Sequence, residues 1–215
     1  MDTAEAYRTV RERMLTMAEG VDPGTPVPTC PGWTIRELLA HVSGVAEDVL
    51  AGNIGDAGTE PWVAAQLASR SGRSLAEITA EWRATGPQVD ELCTQLGDAV
   101  AQLIFDLVTH EQDLRGALGE PGGDDGAVAV ALRWAAERWG SMEPPTQGAL
   151  RIRVGGIDAT QGGGEPAVSV ELPPLEALGL LTGRRTRAQV LALPWDGDVD
   201  AWLPAFTWGP FVLLA

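Results

Sequence analysis

The sequence predicts an α+β protein in which a helical bundle precedes a small α/β part. Two observations indicate this. Long stretches before residue 145 carry apolar residues at helical spacing, whereas shorter stretches after it alternate apolar and polar residues, as half-buried strands do. The pair Pro144 and Pro145 lies between these two hydrophobic patterns. We therefore expect two domains, residues 1–145 and residues 146–215.

The N-terminal part is predicted to be all-helical. The expected helices cover residues 3–19, 34–51, 74–92, 98–118 and 125–139, and a short amphipathic piece, residues 62–69, lies within a Gly-rich connection. Thr34 and Glu37 form a capping box that opens the second helix. Four prolines between residues 22 and 33 exclude a regular helix before it.

The C-terminal part is predicted to mix strands and short helices. Strands are expected at residues 150–154, 168–170 and 189–193, and helices at residues 174–182 and 199–206. Pro174 starts the first of these helices and Gly183 ends it. This alternation of elements is the reason for the α/β assignment.

Composition excludes several classes of partner. The 215 residues are 45% hydrophobic, enough for a packed core, and the formal net charge is −15. An acidic surface repels phosphate backbones and anionic lipid headgroups, so we expect neither nucleic acid nor membrane as a partner. The sequence has no apolar signal core or membrane-span pattern, and its two cysteines are too few for a disulfide framework. These features predict a cytoplasmic protein. Its oligomeric state, monomer or homodimer, stays open.

The two histidines of the chain suggest a metal site. His110 follows Asp106 by four residues, which places both on one helix face, and His41 lies at the edge of the apolar stripe of another helix. Two imidazoles and a carboxylate are a ligand set typical of catalytic zinc, because they leave one coordination position open. The alternative is a surface ion pair of Asp106 with His110, and a half-buried His41 that binds nothing.

Two segments resemble signatures of a known family. Residues 29–41, TCPGWTIRELLAH, and residues 105–119, FDLVTHEQDLRGALG, are similar to those of the mycothiol-dependent maleylpyruvate isomerase family, part of the DinB-like superfamily. The resemblance covers about residues 5–140 and continues more loosely beyond them. It implies a DinB-like four-helix bundle with a small α/β C-terminal domain. It also implies that His41, Asp106 and His110 bind a divalent metal, although Asp106 stands where the family typically has Glu.

The resemblance also implies roles for two further residues. Asp113 matches an acidic position after the metal histidine, where it would accept a hydrogen bond from a metal-bound imidazole or contact substrate. Arg184 loosely matches a C-terminal arginine implicated in activity, and it could hold a substrate carboxylate. The alternatives are an exposed acid and a solvated helix end, respectively. Cys30 is expected to be buried and structural, and Trp33 to fasten its loop to the bundle.

The function implied by the resemblance is a metal- and thiol-dependent enzyme. Mycothiol would be the thiol cosubstrate, and a metal-bound thiolate would attack a small electrophilic substrate. Release of the thiol after bond rotation gives an isomerase, whereas retention gives an S-transferase. Two other classes stay open: another metal-dependent hydrolase or tailoring enzyme, and a non-catalytic binding protein of the same fold. Zinc is the expected ion, but the ligand set also suits nickel, iron and manganese.

Overall fold

A computed structural model describes residues 1–123 and 126–215. The first six helices are α1 (Thr3–Met17), α2 (Ile35–Ala51), α3 (Glu60–Ser69), α4 (Leu75–Leu96), α5 (Ala101–Leu118) and α6 (Gly126–Gly140). A 3₁₀ turn over Gly97–Val100 joins α4 to α5. Position 125, the predicted start of the last of these helices, lies outside the described residues.

The chain divides into two compact units, Met1–Ala127 and Val128–Ala215. The α+β class predicted from the sequence is confirmed. The domain limits at residues 1–145 and 146–215 stay a proposal. Within the residues that the structure describes, no helix has the length and hydropathy needed to cross a bilayer.

In the first unit, α1, α2, α4 and α5 form a four-helix bundle. Both α1 and α2 pack against α4 and against α5, so the four helices close into a ring, and α3 packs on α2. The bundle core includes the fully buried Leu38, Leu39, Ile78, Ile104 and Leu107. Between α1 and α4, the indole Nε1 of Trp82 donates to the Tyr7 hydroxyl at 3.0 Å. This bond satisfies the polar atoms of two large side chains inside the core.

The start of α2 follows from its capping box, as predicted. The backbone N–H of Thr34 donates to the Glu37 carboxylate at 3.1 Å, and the Thr34 hydroxyl contacts the same oxygen. Burial alone would raise the pKa of Glu37, but the bonds from Thr34 and from Arg36 lower it overall. The cap therefore holds a charged carboxylate at the positive end of α2.

In the second unit, three strands form one small sheet. The strands are β1 (Ala149–Val154), β2 (Ile157–Gly162) and β3 (Pro166–Glu171), in the order β2-β1-β3. β1 pairs antiparallel with β2 and parallel with β3. Two helices, α7 (Pro174–Leu181) and α8 (Arg187–Leu191), and a 3₁₀ helix over Asp200–Phe206 follow the sheet.

The structure corrects two predictions in this unit. The strand expected at residues 189–193 is wrong, because α8 occupies most of that segment. Thr186 and Gln189 form a capping box there, and this local cap starts a helix. Strand β2 was not predicted. It follows β1 through Gly155 and Gly156, both with positive φ, which are the residues that a two-residue hairpin turn requires.

Candidate metal centre

The structure brings His41, Asp106 and His110 together between α2 and α5. The Nε2 atom of His41 lies 3.8 Å from Oδ1 of Asp106, and Nε2 of His110 lies 3.7 Å from the same oxygen. One potential ligand atom from each residue lies within 4.8 Å of the other two. The two imidazoles are buried and Asp106 is half-buried. Residues from two distant segments thus converge on a small volume.

The spacing of these atoms suits a metal ion better than direct hydrogen bonds. Distances of 3.7 and 3.8 Å exceed the roughly 2.7–3.2 Å of an N–H···O bond. Tetrahedral ligand bonds of about 2.0–2.2 Å place ligand atoms roughly 3.3–3.6 Å apart. Each Nε2 atom therefore lies only slightly farther from Asp106 than two ligands of one divalent ion would, and all three ligand atoms lie within 4.8 Å of one another. A second feature of the donor set, the contacts of the other ring nitrogens, supports this fit.

The other nitrogen of His110 is held by Asp113. Nδ1 of His110 lies 3.0 Å from Oδ2 of Asp113, whose side chain is 1% exposed. The Thr29 hydroxyl donates to Oδ1 of Asp113 at 2.6 Å, and the Cys30 thiol donates to Oδ2 at 3.2 Å. Asp113 is therefore a buried carboxylate that accepts three hydrogen bonds, and not the exposed acid of the alternative interpretation.

The loop before α2 contributes more to this centre than the sequence predicted. Cys30 is half-buried rather than buried as expected, and its Sγ donates to Asp113. Its structural role stays a prediction. Cys30, His110 and Asp113 form a second group with metal-ligand chemistry, but it shares His110 with the first group. The hydrogen bonds give the simpler account of it, because each donor has an acceptor.

The other nitrogen of His41 is held by Gln66 of α3. Oε1 of Gln66 lies 2.7 Å from Nδ1 of His41, and Nε2 of Gln66 donates to Oδ2 of Asp48 at 2.7 Å. Sequence reasoning missed both residues. A signal was present, since Gln66 is the one amide in the largely apolar piece predicted at residues 62–69.

Two indole rings lie beside the imidazoles. The ring of Trp33 lies 5.3 Å from that of His41 and stacks on His110 at 6.0 Å, centroid to centroid. Trp62 presents an edge contact to His41 at 6.2 Å. Aromatic walls of this kind exclude water and strengthen the electrostatic interactions of the groups they surround.

Arg184 belongs to the second unit. Its Nη1 donates to the backbone carbonyl of Thr182 at 2.8 Å, and its guanidinium carbon lies 5.7 Å from the centre of the Phe211 ring. Arg184 is half-buried. Its role towards a substrate stays a prediction.

Comparison with known proteins decides the family. A family model described as the mycothiol maleylpyruvate isomerase N-terminal domain matches residues 7–115, just over half of the 215 residues. The chain belongs to this family. The family takes its name from an enzyme, and the matched range contains His41, Gln66, Asp106, His110 and Asp113.

Two solved structures support the family assignment at the level of the fold. One is a crystal structure of the mycothiol-dependent maleylpyruvate isomerase, with a TM-score of 0.54, and the other is of a histidine-to-alanine mutant with that name, with a TM-score of 0.61. Each is 14% identical to this chain, and each alignment covers 84% of this chain and 88% of the other. No curated protein matches the sequence.

Proposed function

We propose that this protein is a metal-dependent, thiol-dependent enzyme that acts on a small electrophilic substrate. The observation that carries the metal part is the shared arrangement of the two imidazoles. In His41 and in His110, Nδ1 faces an acceptor and Nε2 faces Asp106. The family match supports mycothiol as the thiol.

His41, Asp106 and His110 are the residues that would hold the ion, and zinc is the ion that we propose. A neutral ring whose Nδ1–H is bonded offers the lone pair of Nε2 as a ligand, which is the usual pattern around catalytic zinc. When bound, the ion would stabilise a thiolate at neutral pH, since a divalent cation lowers the pKa of a coordinating thiol.

Other side chains of the chain would prepare the site for this reaction. Asp113 would fix the ring of His110, and Trp33 and Trp62 would keep water away from the thiol sulfur. Exclusion of water matters because a hydrated thiolate is a weaker nucleophile towards carbon. Arg184 is proposed to bind a substrate carboxylate through its two-pronged guanidinium.

The chemistry divides into two outcomes after the sulfur attacks an electrophilic carbon. In an isomerase, a new C–S bond forms at one carbon of a C=C bond, the remaining single bond rotates, and loss of the thiol restores the double bond. The thiol is then regenerated. In an S-transferase the C–S bond persists. Either the carbanion formed by addition to the C=C bond takes up the proton that the thiol lost, or a leaving group departs with the electron pair of its broken bond to carbon. A consumed thiol therefore distinguishes the transferase from the isomerase.

The proposal is tested with protein that carries no histidine-rich tag. Metal content is measured after purification and after loading, and mycothiol consumption is then followed with an electrophile such as a bimane. We expect about one equivalent of metal and a rate above that of the uncatalysed reaction. His41→Ala should lose both. If metal binds but mycothiol is never consumed or used catalytically, a hydrolase or another metal-dependent enzyme becomes the better interpretation. If no metal binds under any loading condition, a non-catalytic binding protein becomes the better interpretation.

A further inference from the structure

Gln66 connects the candidate ligand His41 to a carboxylate outside the ligand set. Its side chain is 3% exposed, and both ends of its amide are hydrogen-bonded. One end meets His41 at 2.7 Å, and the other donates to Asp48 at 2.7 Å. Asp48 is itself held by the side-chain amide of Asn53, which donates to its other oxygen at 2.7 Å. The four side chains form one continuous hydrogen-bonded row.

The chemistry of this row allows only one orientation of the Gln66 amide. A carboxylate only accepts hydrogen bonds, so the amide nitrogen of Gln66 must face Asp48. An inverted amide would place its oxygen 2.7 Å from a carboxylate oxygen, with no proton between them. The amide oxygen therefore faces His41. Because that oxygen only accepts, Nδ1 of His41 must carry the proton.

We propose that Gln66 is a positioning residue that selects the tautomer of His41. With the proton on Nδ1, the neutral ring has its lone pair on Nε2, the atom that faces Asp106 at 3.8 Å. The opposite tautomer would turn an N–H towards the site and could not bind a cation there. The importance of this selection for catalysis rests on the proposed metal function, but the selection itself does not.

The position of α3 is well defined, which such a role requires. Gly44 lies three residues after His41 on α2, and a Cβ at Gly44 would lie 2.7 Å from both Cβ and Cγ of Gln66. Because Gly44 has no side chain, Cβ and Cγ of Gln66 can pack directly against the backbone of α2. The buried Arg70, just after α3, contacts Glu47 at 2.7 Å and Glu81 at 2.6 Å. α3 is therefore tied to both α2 and α4.

The end of α3 is also tied to the start of α2. One terminal nitrogen of Arg36 donates to the backbone carbonyls of Arg70 at 2.8 Å and Ser71 at 2.6 Å. Carbonyls at a helix C-terminus have no partner within the helix, so this guanidinium supplies one. Gln66 therefore contacts His41 from a helix that is fixed by these contacts, and not from a mobile loop.

The two imidazoles have acceptors of different charge. His110 faces the carboxylate of Asp113, whereas His41 faces the neutral amide of Gln66. A neutral acceptor selects the tautomer without adding a second negative charge beside the candidate ligands. With a divalent ion, two neutral imidazoles, Asp106 and the buried Asp113, the formal charge of the centre is near zero. A further carboxylate in place of the Gln66 amide would make it negative, which disfavours a thiolate or an anionic substrate.

The test uses the fact that the chain has only two histidines. Long-range ¹H–¹⁵N correlation spectra of the metal-free protein, at a mildly alkaline pH where free imidazole is neutral, report the tautomer of each ring. We expect a protonated Nδ1 for both rings. In Gln66→Leu the His41 signals should shift towards a mixture of tautomers while those of His110 do not move. Gln66→Glu combined with Asp48→Asn keeps an acceptor for His41 and places an amide donor, instead of a carboxylate, against the second carboxylate oxygen. This double variant should restore the protonated Nδ1.

A matched control comes from the other buried glutamine. Gln161 is 1% exposed, and it donates to the Trp139 carbonyl within the second unit. Gln161→Leu should change the signals of neither imidazole. If Gln66→Leu does not fold, Asp48→Ala carries the test, because it removes the group that orients the amide. The same shift of the His41 signals is then expected.

Metal affinity provides the second measurement. Competition with a chromophoric zinc chelator should show affinity about 10- to 100-fold lower in Gln66→Leu, as is usual when the hydrogen-bond partner of a metal-bound histidine is removed. The inference is overturned if His41 of the unsubstituted protein is protonated on Nε2, or if its signals do not respond to the loss of the Gln66 amide. Failure of the proposed function gives a different result. In that case no variant binds zinc, yet the tautomer of His41 still changes when Gln66 is replaced.

Discussion

Asp113 offers the sharpest test of how the site is held, because two substitutions at this residue separate shape from hydrogen bonding. Its carboxylate accepts from Thr29, Cys30 and His110. In Asp113→Ala all three donors lose this acceptor. In Asp113→Asn the oxygen can still accept from His110, while the new NH₂ group donates to the Thr29 hydroxyl, which can also act as an acceptor.

The two variants should therefore differ clearly in stability. A buried donor without a partner costs about 1–3 kcal/mol. Loss of the partner of the buried His110 ring nitrogen carries this cost in full, whereas the half-buried Thr29 hydroxyl and Cys30 thiol add less because water can reach them. We therefore expect a loss of roughly 2–4 kcal/mol for Asp113→Ala. Asp113→Asn replaces three charged bonds by neutral ones, which differ by about 1 kcal/mol each, but it also removes the desolvation cost of a buried charge. We expect it to lose roughly 1–2 kcal/mol.

The assay is urea unfolding of the metal-free protein, followed by the fluorescence of its eight tryptophans. Metal-free conditions separate the folding contribution of Asp113 from any effect on an ion. Zinc affinity, measured separately, should fall in the Ala variant by about 10- to 100-fold. Equal free energies of unfolding for the Ala and Asn variants, within about 0.5 kcal/mol, would refute the account of Asp113 as a buried triple acceptor.

Three further predictions concern other parts of the chain. Gly44→Ala should cost about 1–3 kcal/mol by overpacking against Gln66, and a gain in urea stability would contradict the close approach. A hydrogen bond from Arg185 lowers the pKa of Glu176 below its usual 4.5. The pair of Glu176 and Arg185 therefore contributes its full stability above pH 4.5, and this contribution is lost as the pH falls through the lowered pKa. Glu176→Gln should reduce this acid-dependent loss in unfolding titrations. Burial raises the pKa of Cys93 to about 11, so mass spectrometry should find Cys93 unmodified by iodoacetamide at pH 8 unless urea is present.

Local sequence patterns determined the bundle and pointed to its candidate ligands. The capping box at Thr34 and the apolar stripe of α2 depend on residues a few positions apart, and such contacts form within one helix. The four-residue spacing of Asp106 and His110 is likewise a local pattern within one helix. The convergence of His41 with them could be inferred because each histidine lies at the edge of the side that its helix buries.

The C-terminal unit was harder to predict because its signals are short. In the segment after Thr186, apolar residues suggested a strand, but the local cap with Gln189 makes a helix of five residues. Strand β2 carries few strongly β-forming residues, and its pairing with β1 supplies the stabilisation that its own sequence lacks. In both cases a competing interaction outweighed the average preference of the segment.

The residues that hold the candidate ligands were decided only by the tertiary structure. Gln66 is 25 positions from His41, and Thr29 is 84 positions from Asp113. No helical or strand period relates such positions, so their meeting depends on how α3 and the loop before α2 pack onto the bundle. The sequence by itself determined which side chains could bind a metal. The packing of distant segments decided which nitrogen of each imidazole is turned towards it, because a tautomer depends on the partner of the opposite nitrogen.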